Sequence, residues 1–229
     1  MDLRVSSTVV MDLEGAACRR HPTLAALAGG GGPGWEAEVA ATLRSGAGRR
    51  ELLATAADLL AAGGRLADPG WRRAVGAAVG VDPDLQGVLT DLLGHPGVEV
   101  VAVADGLGLV DWAAELDGLV GTERFRLLAN TVDRGGGVRF PHTSTCCACS
   151  SCGICAQSPV REAARAGRRT VFVGASVFDR KAALAADVVA ARGPLARWCE
   201  AAGVPFRPFT ALADLEPIIG AVLGARCAA

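Results

Sequence analysis

At 229 residues, 51% of them apolar, the chain is long enough for one large domain or a core domain carrying a smaller cap. Its formal net charge of −1 supplies no global field for nucleic acid or an anionic membrane surface, so neither is an expected partner. No apolar run approaches the roughly 20 residues that a spanning helix needs, and Met1-Asp2-Leu3-Arg4 lacks a signal-peptide pattern; the cytoplasm, where thiols stay reduced, is the expected location.

The first element is a buried strand over Val5 to Leu13, in which Val9, Val10 and Met11 lead to Asp12. An acidic residue at a strand's carboxyl end stands where open α/β sheets place their chemistry. From about Pro22 to Gly94 the pattern is mostly helical, clearest in Glu51 to Leu60 and Leu85 to Leu93. The glycines from Gly29 to Gly34 read as a linker, since no Gly-Lys-Ser/Thr follows to make a phosphate loop.

A second buried strand, Val98 to Val103, ends at Ala104-Asp105-Gly106. A short helix over Val110 to Leu119 and an extended segment over Phe125 to Val132 follow. The turn Gly135-Gly136-Gly137 then leads into Val138-Arg139-Phe140 as a hairpin. Ser158 is a candidate cap for a helix reaching Ala166. Thr170 to Gly174 is a third strand, a helix covers Arg180 to Ala186, and Asp187 to Val189 is a fourth strand. Helices near Leu195–Ala202 and Ala211–Leu223 close the chain. Strands and helices alternating at this spacing predict an α/β fold, a parallel sheet covered on both faces. The helical block between the first two strands reads as an insertion, giving a core over 1–20 and 93–229 and a cap over 21–92.

Five of the eight cysteines fall in one stretch, Cys146, Cys147, Cys149, Cys152 and Cys155, just after His142. Thiolates two residues apart can converge on a soft metal ion. Cys149, Cys152 and Cys155 repeat that gap, with His142, Cys146 or Cys147 to complete a structural zinc site. The alternatives are a redox site or a reduced loop whose thiols pack. An iron–sulfur cluster is disfavoured, because Ser158-Pro159 stands where its last cysteine would precede proline.

Gly174-Ala175-Ser176-Val177-Phe178-Asp179-Arg180-Lys181, the later Ala186-Asp187-Val188-Val189, and Pro141-His142 with Cys152-Gly153-Ile154-Cys155 carry a resemblance. The chain resembles the haloacid-dehalogenase-like phosphatases, in the branch of the phosphoserine phosphatases and a cysteine-rich methionine-salvage phosphatase. The resemblance implies a Rossmann-like core in which Asp12 attacks phosphorus and the acid two residues on, here Glu14, moves protons. It also locates losses. The hydroxyl that closes the second strand in that family is replaced at Ala104-Asp105, and the lysine after the cysteine loop by Ala156-Gln157. A magnesium-binding aspartate is replaced by Ala175, leaving Asp179.

The candidate catalytic residues are therefore Asp12, Glu14 and Asp179. Asp105, Ser176 and Arg161 are candidates to bind substrate. Phosphoryl transfer depends on positive charge around the transferring oxygens. With lysine, hydroxyl and a metal carboxylate gone, magnesium dependence is expected to be weak or absent. The resulting expectation is a diverged enzyme for a small anionic phosphate- or sulfate-ester metabolite, in which Asp12 and Glu14 could drive internal displacement with ring closure. A non-catalytic subunit that works with a protein partner or as a homo-oligomer is the competing expectation. A conventional phosphatase with substitute residues ranks behind both.

Overall fold

The computed structural model describes residues 5–142 and 152–224. In chain order its elements are β1 (Ser7–Asp12), α1 (Leu13–Ala16), α2 (Pro22–Gly30), α3 (Trp35–Arg44), α4 (Arg49–Ala62), α5 (Pro69–Val79), α6 (Leu85–Gly94) and β2 (Val98–Ala104). Then come α7 (Trp112–Glu115), β3 (Phe125–Ala129), β4 (Thr131–Val132), β5 (Val138–Arg139), α8 (Gln157–Arg165) and β6 (Arg169–Gly174). A 3-10 turn (Val177–Asp179), α9 (Arg180–Ala183), β7 (Val188–Ala191), α10 (Gly193–Ala202), β8 (Arg207–Pro208), a second 3-10 turn (Leu212–Asp214) and α11 (Leu215–Gly224) complete the chain.

Six strands form one parallel sheet in the order β3-β2-β1-β6-β7-β8. Every residue of β1 and β2 is buried, as strands covered on both faces require. Val9 and Met11 face one apolar layer, with Leu89, Leu92 and Ile219 from α6 and α11. Val10 faces the other, with Phe172, Val160 and Leu195. The connection from β1 runs to one side of the sheet and that from β6 to the other, so the strand order reverses between β1 and β6. Ligands of open α/β sheets bind in the crevice at such a reversal. The expected hairpin is the small antiparallel pair β4–β5.

Six helices, α1 to α6, separate β1 from β2. In α4, Leu53, Ala56 and Leu60 recur at helical spacing and are buried, while the rest of the helix is mostly exposed. α5 starts on Asp68, whose side chain accepts from Gly70 N and Trp71 N, and stops at left-handed Gly80. The loop after β1 is tied to that stop: Cys18 bridges Val81, and Asp82 N donates to Ala17 O at 2.8 Å. α6 lies on β2, burying Leu85, Val88, Leu89 and Leu92. Gly29 and Gly30, expected in a linker, complete the last turn of α2. The expected helix over Val110 to Leu119 reduces to the single turn α7. No helix among the described residues is long and apolar enough to cross a membrane.

Candidate active site

The parallel sheet brings three carboxyl-bearing segments to one edge. Asp12 ends β1, Asp105 follows β2, and Asp179 closes the turn after β6. Glu14 sits in α1, which begins directly on Asp12. Asp12, Glu14 and Asp179 are all buried, at 4%, 2% and 5% exposure. Burial without enough partners disfavours the charged form of a carboxyl.

The consequences differ by residue. Burial pushes the Glu14 carboxyl up to about 8; Asp105 adds to this and Arg49 opposes it. Both Glu14 oxygens lack a hydrogen-bond partner. The N–H of Gly106, packed against the carboxyl, lowers the value only in part. Burial also pushes Asp12 up to about 7, against Arg49, the Gly15 N–H and a hydrogen bond from Asp179. Asp179 is pushed well above its ordinary range by burial and by the neighbouring charges of Asp12 and Asp105. Burial and these neighbours thus favour the protonated form of Asp179. Its Oδ2 meanwhile accepts from Ala175 N (3.1 Å) and Ser176 N (2.9 Å). Asp179 thus caps its turn and belongs to the carboxyl cluster as well.

Positive charge comes from the inserted helices. Arg49, the first residue of α4, is 6% exposed and its Nη2 lies 2.7 Å from Asp105 Oδ1. The same nitrogen is 3.4 Å from His21 Nε2, and the guanidinium carbon lies 5.3 Å from the Phe178 ring centre. Burial and the adjacent Arg49 push His21 down to about 3, so it is neutral. A second arginine fixes the loop after β1. Arg192 donates to Gly15 O through Nε (3.1 Å) and Nη2 (2.8 Å), and to Cys18 O (3.2 Å).

Two cavities flank the cluster. The larger, about 630 Å³, lies at the strand-order reversal, with Glu14, Cys18, His21, Ser176, Arg192 and Gly193 among its lining residues. The smaller, about 220 Å³, is lined by Arg49, Asp105, Gln157, Asp179, Arg180 and Lys181, among others. Ser176 Oγ accepts from Phe178 N at 3.2 Å. The Cys18 thiol, pushed up by burial and by Glu14 and Asp12, stays protonated.

The fold thus gathers Asp12, Glu14, Asp105, Ser176 and Asp179. Arg161 is exposed on α8 and lines neither cavity; Arg49, Arg180 and Lys181 stand at the smaller one instead. Of the candidate zinc ligands, Cys155 is buried, Cys152 is half-buried and His142 is exposed. Neither Cys152 nor Cys155 is in a disulfide, and both line the smaller cavity. Cys146 and Cys149 lie outside the described residues. Among the described residues, no three His, Cys, Asp or Glu side chains converge as a cation site would require.

A magnesium ion of the kind the resemblance implies takes near-octahedral oxygen ligands, several of them carboxylates or water. Here Ala175 offers a methyl in place of an oxygen ligand, and the Arg49 guanidinium supplies positive charge among Asp12, Glu14 and Asp179. This donor set is one oxygen ligand short of the magnesium site that the resemblance implies.

No family model matches the chain. Over 104 residues it is 34% identical to a 2-hydroxy-3-keto-5-methylthiopentenyl-1-phosphate phosphatase of Exiguobacterium sp. (strain AT1b), covering 44% of this chain and 47% of that one. It is 30% identical over 122 residues to the phosphatase of that same description from Geobacillus kaustophilus, covering 52% and 54%. The chain spans about half the length of these curated relatives. Among solved structures, a phosphoserine phosphatase in apo form superposes with a TM-score of 0.60 at 15% identity, over 94% of this chain and 98% of that one. A phospho-aspartyl intermediate analogue of phosphoserine phosphatase gives 0.62 at 15% identity, over 94% and 99%. The chain therefore has the haloacid-dehalogenase-like fold of the phosphoserine phosphatases.

Proposed function

We propose that the chain is a diverged enzyme of this fold that removes the ester group of a small phosphate- or sulfate-ester metabolite by internal displacement. One observation carries the proposal: two carboxyls two residues apart, Asp12 and Glu14, are buried at the sheet's edge beside a 630 Å³ cavity, and burial pushes both up toward neutral pH. Asp12 can take up a proton near neutral pH while Glu14 still holds one. Neighbouring carboxyls that exchange protons near neutral pH can take opposite proton-transfer roles. Asp12 accepts the proton of a hydroxyl or amine within the substrate. That atom attacks the carbon bearing the ester oxygen, and the carbon–oxygen bond breaks. The leaving oxyanion takes the proton of Glu14, and the organic product keeps the new ring. No step draws on a divalent cation.

Further support comes from the curated relatives, whose own names describe phosphatases of a phosphate ester. The segment 21–92 serves as the cap over the core formed by 1–20 and 93–229. The cysteine loop serves as a structural zinc site through Cys149, Cys152 and Cys155, with Cys146 or His142. Elemental analysis of the purified protein tests the zinc assignment, and less than stoichiometric zinc overturns it.

The enzyme assignment is tested by measuring phosphate and sulfate release from a panel of small esters, with and without EDTA. Asp12→Asn is expected to lose about 100- to 10,000-fold, the range for a positioned acid–base group, while EDTA leaves the wild-type rate unchanged. Turnover retained by Asp12→Asn, or absent from the wild type across the panel, overturns the assignment in favour of a non-catalytic subunit.

A further inference from the structure

The smaller cavity has the chemistry of an anion receptor. Three basic residues line it: Arg49, Arg180 and Lys181. Arg180 and Lys181 are exposed at its mouth, whereas Arg49 is almost completely enclosed. Gly46, Ala47 and Gly48 lead into Arg49 and line the cavity too, and the start of α8 lies across from them at Ala156 and Gln157.

The Arg49 guanidinium is incompletely used. Its Nη2 meets Asp105 and His21, but its Nε is buried without a hydrogen-bond partner. A buried donor left unmade costs about 1–3 kcal/mol. Proteins rarely retain one unless a ligand or water completes it. The free Nε–H, carrying the charge of the guanidinium, can donate to one oxygen of a tetrahedral oxyanion. The acids around this cavity do not all oppose an anion, since Asp105 is paired with Arg49 at 2.7 Å and burial favours the protonated form of Asp179.

We infer that Arg49, delivered to the cluster by the inserted helices, binds the tetrahedral oxyanion of the ester in the 220 Å³ cavity and does so without a divalent cation. The inference rests on the proposed reading of the chain as an ester-processing enzyme, and it adds the residue and the place for the anionic group. The organic part of the substrate then lies across the carboxyl cluster, in the larger cavity beside Glu14. Because Arg49 belongs to the segment between β1 and β2, and Asp179 to the segment after β6, an anion held here bridges the insertion to the sheet.

The test is calorimetric titration with inorganic phosphate and, separately, inorganic sulfate, in buffer containing EDTA. The wild type is expected to bind one oxyanion per chain, and the tighter of the two reports the ester class. Arg49→Gln is expected to weaken binding at least ~10-fold, with partial retention in Arg49→Lys, because an ammonium supplies charge without the fixed planar donor geometry of the guanidinium. Arg165→Ala, an exposed change on α8, is expected to bind like the wild type. Asp12→Asn is also expected to bind, which separates failure of the catalytic reading from failure of the receptor. In the wild-type protein, the Nε–H nuclear magnetic resonance signal of Arg49 is expected to shift on saturation, a measurement that survives any folding defect in the variants. The inference is overturned by absence of binding to the wild type at 100-fold molar excess, by wild-type affinity in Arg49→Gln, by binding that appears only with added magnesium, or by an unshifted Arg49 signal.

Discussion

Arg49 Nη2 lies 2.7 Å from Asp105 Oδ1, an ion pair that joins the first residue of α4 to the loop after β2. Their side chains are 7% and 13% exposed, so water screens the contact little. The pair holds the inserted helices against the sheet's carboxyl edge, and it places a guanidinium among Asp12, Glu14 and Asp179.

Removing one member should therefore strand the other. Asp105→Ala is expected to lower the unfolding free energy by about 3 kcal/mol, the lower end of the range for breaking a buried pair. Arg49 keeps some compensation from Asp12 and Glu14. In a double-mutant cycle with Arg49→Met, the second change should cost much less than it does alone. Urea denaturation measures all three variants. Additive losses would mean the two side chains do not interact.

Stability should fall as pH rises from 6.5 to 8. In the folded state Asp12 and Glu14 hold protons up to about 7 and about 8, whereas in the unfolded chain they release them near 3.8 and 4.5. Over this window the folded state binds more protons than the unfolded state, so each pH step favours unfolding. His21 has the opposite sign, being depressed to about 3, but its contribution is complete above its unfolded value of 6.5. Glu14→Gln should flatten the slope. Melting temperatures at half-unit pH steps measure it, and a flat wild-type profile would refute the raised carboxyls.

Two glycines should respond oppositely to a methyl group. At Gly106 an added Cβ would overlap both Glu14 oxygens. Gly106→Ala must displace Glu14 or the loop, at about 1–3 kcal/mol for an overpacked site. Gly87, exposed in α6, has nothing within 4 Å of the same position. Gly87→Ala is expected to gain about 0.5–1 kcal/mol from the lower entropy of the unfolded chain. Thermal denaturation of the two variants compares them directly, and similar shifts would contradict the close approach at Gly106.

The central strands were legible because β-branched and apolar runs closed by Asp12, Asp105 and Gly174 carry a local signal. β8 was not, since Arg207–Pro208 pairs with β7 over two residues and has no pattern of its own. The acids of the site were legible for the same reason as the strands: each follows a strand end. Its cation was not. Arg49 opens an ordinary amphipathic helix, and nothing nearby marks a partner 56 residues on. Lys181 lies on α9, which starts immediately after the 3-10 turn at the sheet's edge, so its first residues reach the smaller cavity. Arg161 shares α8 with the residues that line that cavity and is exposed.

Glu14 should set the high-pH limit of any turnover. A carboxyl that titrates at about 8 can donate its proton at neutral pH, which an ordinary glutamate near 4.5 cannot. The cause is burial, offset only in part by Arg49 and the Gly106 N–H, so the value belongs to the site and not to the residue type. The rate should therefore decline above about pH 8 in the wild type. Glu14→Asp draws the carboxyl back by one methylene, away from Gly106 and into better contact with water. It should move the decline to lower pH and leave Asp12 able to accept a proton. Glu14→Gln should remove the decline together with most of the rate, about 100-fold or more for loss of a general acid. A pH–rate profile on the best ester of the panel distinguishes these outcomes. An unchanged high-pH limb in Glu14→Gln would assign the proton donor to another group, and Asp179, whose protonated form burial favours, would be the next to test.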